Sequence, residues 1–100
     1  MIDKLQMHLE LCRELNEIYK KKNNDYGDSF ADLRKERPDA ILVLIYNKYS
    51  RLKKLLSGEK IQVENEPIVD TFLDLANYCL MEVIERKLDK CIENIATKKQ

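Results

Sequence analysis

An all-α fold is what this sequence predicts, and three observations lead to it. Two glycines and two prolines in 100 residues leave little material for turns, so the elements must be few and long. Apolar residues recur three and four positions apart through most of the chain, which is the spacing of a helix face. Residues that start and stop helices stand where that pattern breaks: Asp28 and Ser29, Pro38, Gly58, and Asn65 to Pro67. The expected architecture is a small helical bundle of two to three long helices plus a short one. It forms a single domain over 1–100 with a frayed basic tail at about 97–100.

The first helix is expected from residue 2 to about 22. Ile2, Leu5, Leu9, Cys12, Leu15 and Tyr19 share a broad face, and Glu10, Glu14 and Glu17 share the opposite, solvated one. Lys20 to Lys22 suit the negative end of the helix dipole, and Asn23 and Asn24 stop the helix. Asn24 to Asp28 is the sharpest turn signal in the chain, because Gly27 can take a positive φ at no steric cost. Asp28 or Ser29 caps a short second helix to about Arg37, and Pro38 ends it. Pro38 to Ser57 reads as the third helix, stopped by Gly58. Glu59 to Asn65 is a polar connection with Ile61 and Val63 alternating, and the last helix starts at Asn65 or Glu66 and runs to about Ala96.

Composition excludes several function classes. Apolar residues at 44% and charged residues at 36% describe a folded, charge-covered domain. Eighteen basic residues cancel eighteen acidic ones, so no overall field draws the chain onto DNA. No apolar run is long enough to cross a bilayer, and Met1 leads straight into a charged amphipathic pattern instead of a signal peptide. Cys12, Cys79 and Cys91 lack the spacing of a zinc site and fall on expected apolar faces, which points to a reducing cytoplasm. His8, on the same apolar face, reads as a hydrogen-bonded structural histidine, and Tyr19, Tyr46 and Tyr49 read as core aromatics.

The last helix carries the most informative pattern. Glu66, Asp70, Asp74 and Asn77 fall on one line of it, and the same line continues as Met81, Ile84 and Leu88. Ile68, Val69, Phe72, Leu73, Leu75, Ala76, Cys79 and Leu80 occupy most of the remaining circumference, so the segment is expected to be buried nearly all round. Buried carboxylates need cations or a metal. The third helix supplies Lys48 inside its apolar stripe and Arg51 on its edge. Two arrangements satisfy these residues. One is a buried ion-pair network that fixes helix register. The other is a site in which Glu66, Asp70 and Asp74 hold Mg²⁺ while Lys48 and Arg51 face phosphate oxygens. The apolar girth of residues 68–80 also predicts a homodimer or higher homo-oligomer.

Three stretches occur in order: Lys22-Asn23-Asn24-Asp25-Tyr26-Gly27-Asp28-Ser29, Lys48-Tyr49-Ser50-Arg51-Leu52, and Glu66 through Tyr78. Together they resemble the nucleotide-modification-associated domain family of phages and bacteria (its first type) over about residues 15 to 85. The chain departs from that pattern at Asn47 and Val69, where the family often carries acids. It is more loosely similar to the all-helical MazG-like nucleoside triphosphate pyrophosphohydrolases, whose earlier motif of adjacent glutamates it does not reproduce. The resemblance implies a nucleotide or nucleotide-derived ligand, in the host cytoplasm for a phage-encoded chain. It implies Mg²⁺ on Glu66, Asp70 and Asp74, with Asp25 orienting the attacking water in a (deoxy)nucleoside triphosphate pyrophosphohydrolase. Lys48 and Arg51 would then stabilise phosphate charge, and Tyr26, Asn77 and Tyr78 would contact the rest of the ligand. A non-catalytic nucleotide-binding or signal-sequestering phage protein, and a helical interaction module with a structural ion-pair core, are the alternatives.

Overall fold

In a computed structural model of the chain, which describes residues 1–57 and 65–98, four helices follow one another: α1 (Lys4–Tyr26), α2 (Ser29–Glu36), α3 (Ala40–Leu56) and α4 (Asn65–Lys98). Among the described residues there is no strand. The expected extended pair at Ile61 and Val63, and the Gly58 stop, lie outside the described residues.

Local chemistry sets the ends. Asp3 caps α1, its carboxylate accepting a hydrogen bond from the Gln6 amide at 3.1 Å. The helix does not stop at Asn23 and Asn24 as expected. It continues to Tyr26, and the Gly27 amide donates back to the Asn23 carbonyl at 2.8 Å. The reason is conformational: Gly27 sits at φ 64°, ψ −149°, a region open essentially to glycine alone, so the break falls on the one residue that can make it. The lysines at 20–22 therefore lie inside α1 instead of capping it, Lys20 and Lys21 exposed and Lys22 reaching Asp74 of α4. The Arg37-Pro38-Asp39 break separates α2 from α3, with the Ala40 amide donating to the Arg37 carbonyl at 3.0 Å.

The buried apolar residues are Leu15, Phe30, Ala40, Ile41 and Leu52, a sparse set drawn from α1, α2 and α3. Packing is most extensive between α3 and α4, while α1 meets α4 over a short stretch only. At 34 residues α4 is about 50 Å long. It and α1 extend beyond the region where the helices pack, which accounts for principal extents of 61 × 37 × 23 Å. The radius of gyration is 17.1 Å, against about 13 Å for a compact domain of this length.

Several expectations about burial are corrected. Residues 68–80 are not enclosed all round: Val69, Phe72, Cys79 and Leu80 are exposed, because the chain has only three other helices and all of them pack on one side of α4. All three cysteines are exposed. Tyr46 and Tyr49 stand on the outer flank of α3. His8 is exposed on the projecting part of α1, with Nδ1 3.8 Å from the Cys12 sulfur. Glu10, Glu14 and Glu17 are exposed as expected. No helix among the described residues is long and apolar enough to cross a membrane.

Candidate functional site

A cleft of about 590 Å³ opens where the end of α1, the Gly27 turn, α2, α3 and α4 meet. Tyr19, Phe30 and Tyr78 give it aromatic walls, and Asn23, Asp28 and Ser29 border it from the turn and the start of α2. The size suits a small organic ligand, and mostly apolar walls with a few placed polar groups are what such sites use.

The charge at this cleft is organised around Asp74. Its Oδ1 accepts from the Lys22 ammonium of α1 at 3.2 Å, and its Oδ2 from the Lys48 ammonium of α3 at 3.1 Å. Lys48 also lies 6.0 Å from the centroid of the Tyr78 ring, at the outer limit of a cation–π contact. Partial burial pushes the Asp74 carboxyl up, but the hydrogen bonds and charges of Lys48 and Lys22 outweigh it and hold the group below its ordinary value of 3.8. With Asp28 also lining the cleft, Lys22 and Lys48 are matched by two carboxylates, and both ammonium groups are gathered on Asp74. Beside Asp74, the Asn77 amide donates to the Leu15 carbonyl at 3.1 Å and ties α4 to α1.

Of the residues singled out in the sequence, the structure brings Lys48, Asp74, Asn77 and Tyr78 together. It leaves others apart. Glu66 and Asp70 are exposed, and no ion pair joins either among the described residues. Arg51 turns to the buried Thr71, donating to its hydroxyl at 3.1 Å, while that hydroxyl donates to the Pro67 carbonyl at 2.7 Å. Asp25 is exposed at the end of α1 and does not line the cleft. The Tyr26 side chain lies outside the described residues.

A protein-held metal is poorly served by this arrangement. Both oxygens of Asp74 are engaged by lysines, Glu66 and Asp70 are exposed, and among the described residues no three His, Cys, Asp or Glu side chains converge. Among the described residues, no group of three such side chains is placed to hold Mg²⁺.

Sequence reasoning missed two features. Lys22 was read as a dipole partner, yet it completes the Asp74 pair. The second is a larger ion cluster at α2. Arg34 donates to both oxygens of Glu82, at 3.0 and 3.1 Å, and to Asp89 at 2.9 Å, while Arg86 donates to Glu82 at 2.7 Å. Glu82 is only 7% exposed. The Arg34 hydrogen bonds outweigh burial and, with Arg86, hold its carboxyl below its ordinary value; Glu82 and Asp89 in turn raise the Arg34 guanidinium above its own. The available signal was Glu82, Arg86 and Asp89 at i, i+4 and i+7 on one strip of α4, the spacing of an ion-pair ladder.

Fold and cleft together define an all-helical protein with an aromatic-walled cleft bordered by a lysine–aspartate cluster. The family model described as nucleotide modification associated domain 1 matches residues 22–85, and the chain belongs to that family. The matched span covers the Gly27 turn, α2, α3 and the part of α4 that borders the cleft. No curated protein and no solved structure matches the chain.

Proposed function

We propose that this protein binds a nucleotide or nucleotide-derived small molecule in the α1–α4 cleft, with phosphate oxygens at Lys22 and Lys48 and the base or sugar among Tyr19, Phe30 and Tyr78. One observation carries the reading. Three stretches far apart in the sequence, at Lys22 to Ser29, Lys48 and Asp74 to Tyr78, meet around one opening, where two ammonium groups gathered on Asp74 stand beside aromatic rings. Phosphates recruit charge-assisted donors of this kind, and aromatic faces accept a base without demanding its identity. The start of α2 borders the same opening, and the free amides of a helix N-terminus favour an anion there. The active assembly is a homo-oligomer, as the sparse core and wide exposed apolar surface suggest.

The test is a thermal-shift panel of nucleoside mono-, di- and triphosphates, with and without Mg²⁺, alongside an assay for released pyrophosphate. The expected result is stabilisation by nucleotide without any need for metal, lost in Lys48→Ala. Absence of a shift with every nucleotide overturns the reading. Release of pyrophosphate that depends on Mg²⁺ replaces it with the pyrophosphohydrolase reading.

A further inference from the structure

The cleft and the free apolar surface lie on different sides of α4. Asp74, Asn77, Tyr78 and Met81 line the cleft, and about 160° round the helix from them runs a second stripe: Val69, Phe72, Ala76, Leu80 and Val83. Its four large members are 41–49% exposed. The polar contacts that α1, α2 and α3 make to α4 run through Asp74, Asn77, Thr71, Glu82 and Asp89, on the other sides of the helix.

The stripe has a symmetry of its own. Counted from Ala76, its large apolar members fall at −7, −4, +4 and +7, so it reads the same in either direction. Its middle is its smallest side chain, where two helices can approach most closely. A surface that is unchanged by reversal complements a reversed copy of itself, which is the requirement of a two-fold interface. Charge agrees: the exposed Glu66 precedes the centre by ten residues and the exposed Lys87 follows it by eleven, on the same flank of the stripe. Reversed pairing therefore puts Glu66 of one copy beside Lys87 of the other, about 15 Å from the axis, whereas parallel pairing puts like charges together. Antiparallel helix dipoles favour the same sense.

From this we infer that two copies of this chain pair antiparallel through α4, with Ala76 at the two-fold axis, Phe72 packing beside Leu80 and Val69 beside Val83 of the other copy. The inference rests on the homo-oligomer proposed above and adds its face, direction and register. Both clefts then open away from the axis and stay accessible.

Sedimentation equilibrium of the full chain tests it. The expected mass is twice the 11.9 kDa of one chain. Ala76→Arg is expected to give a monomer of unchanged helicity that still binds nucleotide. Glu66→Lys weakens the dimer, and adding Lys87→Glu restores it. With the three native cysteines changed to serine, Ala76→Cys forms an interchain disulfide under mild oxidation, because only a residue at the axis meets its own copy. A monomeric wild-type chain overturns this inference and the homo-oligomer together. A dimer that tolerates Ala76→Arg, fails to cross-link at Ala76→Cys and dissociates instead on Leu5→Asp or Leu88→Asp overturns the face proposed here and leaves the homo-oligomer standing.

Discussion

Two ion clusters lie two turns apart on α4, and they are built differently. At Glu82 the charges balance: Arg34 and Arg86 meet Glu82 and Asp89, Arg34 grips Glu82 with two parallel hydrogen bonds, and the acid is nearly inaccessible. At Asp74 one carboxylate serves two lysines, each with one hydrogen bond, and the Lys22 side chain is 59% exposed. A planar guanidinium on a carboxylate fixes direction as well as distance, so the first cluster orients α2 on α4. Ammonium groups are point charges on flexible stems, and a pair of them around one acid can turn toward an incoming anion. The first arrangement is a clamp, and under the proposed function the second is a receptor that Asp74 holds in place.

If that distinction is right, the largest effect on stability comes from the clamp. Glu82→Ala strips Arg34 of its main partner in a mostly buried setting, and the expected loss is about 3 kcal/mol or more, measured by urea unfolding. A loss below about 1 kcal/mol, the range of surface pairs, would erase the contrast between the clusters. Gly27→Ala follows at about 1–3 kcal/mol. A methyl group there meets nothing within 4 Å, so that cost is purely the backbone conformation. Lys48→Ala is expected to cost little in stability but on the order of tenfold in nucleotide affinity by titration calorimetry, the worth of one charge-assisted hydrogen bond. Asp74→Asn sharpens the comparison. It frees both lysines, so binding of a metal-free nucleotide should tighten; weaker binding would mean that Asp74 itself holds the ligand.

How much of this was legible in the sequence depends on whether a feature is local. Helix number, order and type follow from spacing and breaks, and α2 came out within one residue of its expected end. Lys48 was identified as a cation needing a carboxylate because it interrupts an apolar stripe, and Asp74 provides it. The remainder depended on how few helices there are to cover α4. An apolar circumference implies burial only when neighbours exist, and here three helices occupy one side of α4, so Glu66, Asp70, Cys79 and Cys91 come out exposed. Arg51 went to Thr71, a neutral partner no charge pattern indicates. Lys22 was hidden by its position: three lysines in a row at a supposed helix end look like dipole complements, and only the continuation of α1 to Tyr26 shows that Lys22 is aimed at α4.

The smallest effect discriminates between the clusters by acid. Both Glu82 and Asp74 ionise in the folded chain below their ordinary values of 4.5 and 3.8. A carboxyl whose folded value is depressed binds its proton more readily when the chain unfolds. The stability it contributes is therefore complete above the ordinary value and drains away as pH falls through the folded one. Melting temperature should hold steady from neutral pH to about pH 5 and then decline as pH falls below the ordinary carboxylate range. Glu82→Gln should flatten that decline more than Asp74→Asn does, because the Asp74 shift is a residue of two opposed effects, with burial working against the lysines, whereas at Glu82 the Arg34 hydrogen bonds outweigh burial from the start. Equal flattening by the two variants would mean that Lys22 and Lys48 hold Asp74 as firmly as Arg34 holds Glu82. The cleft would then be a second clamp, with no cation to spare for a phosphate.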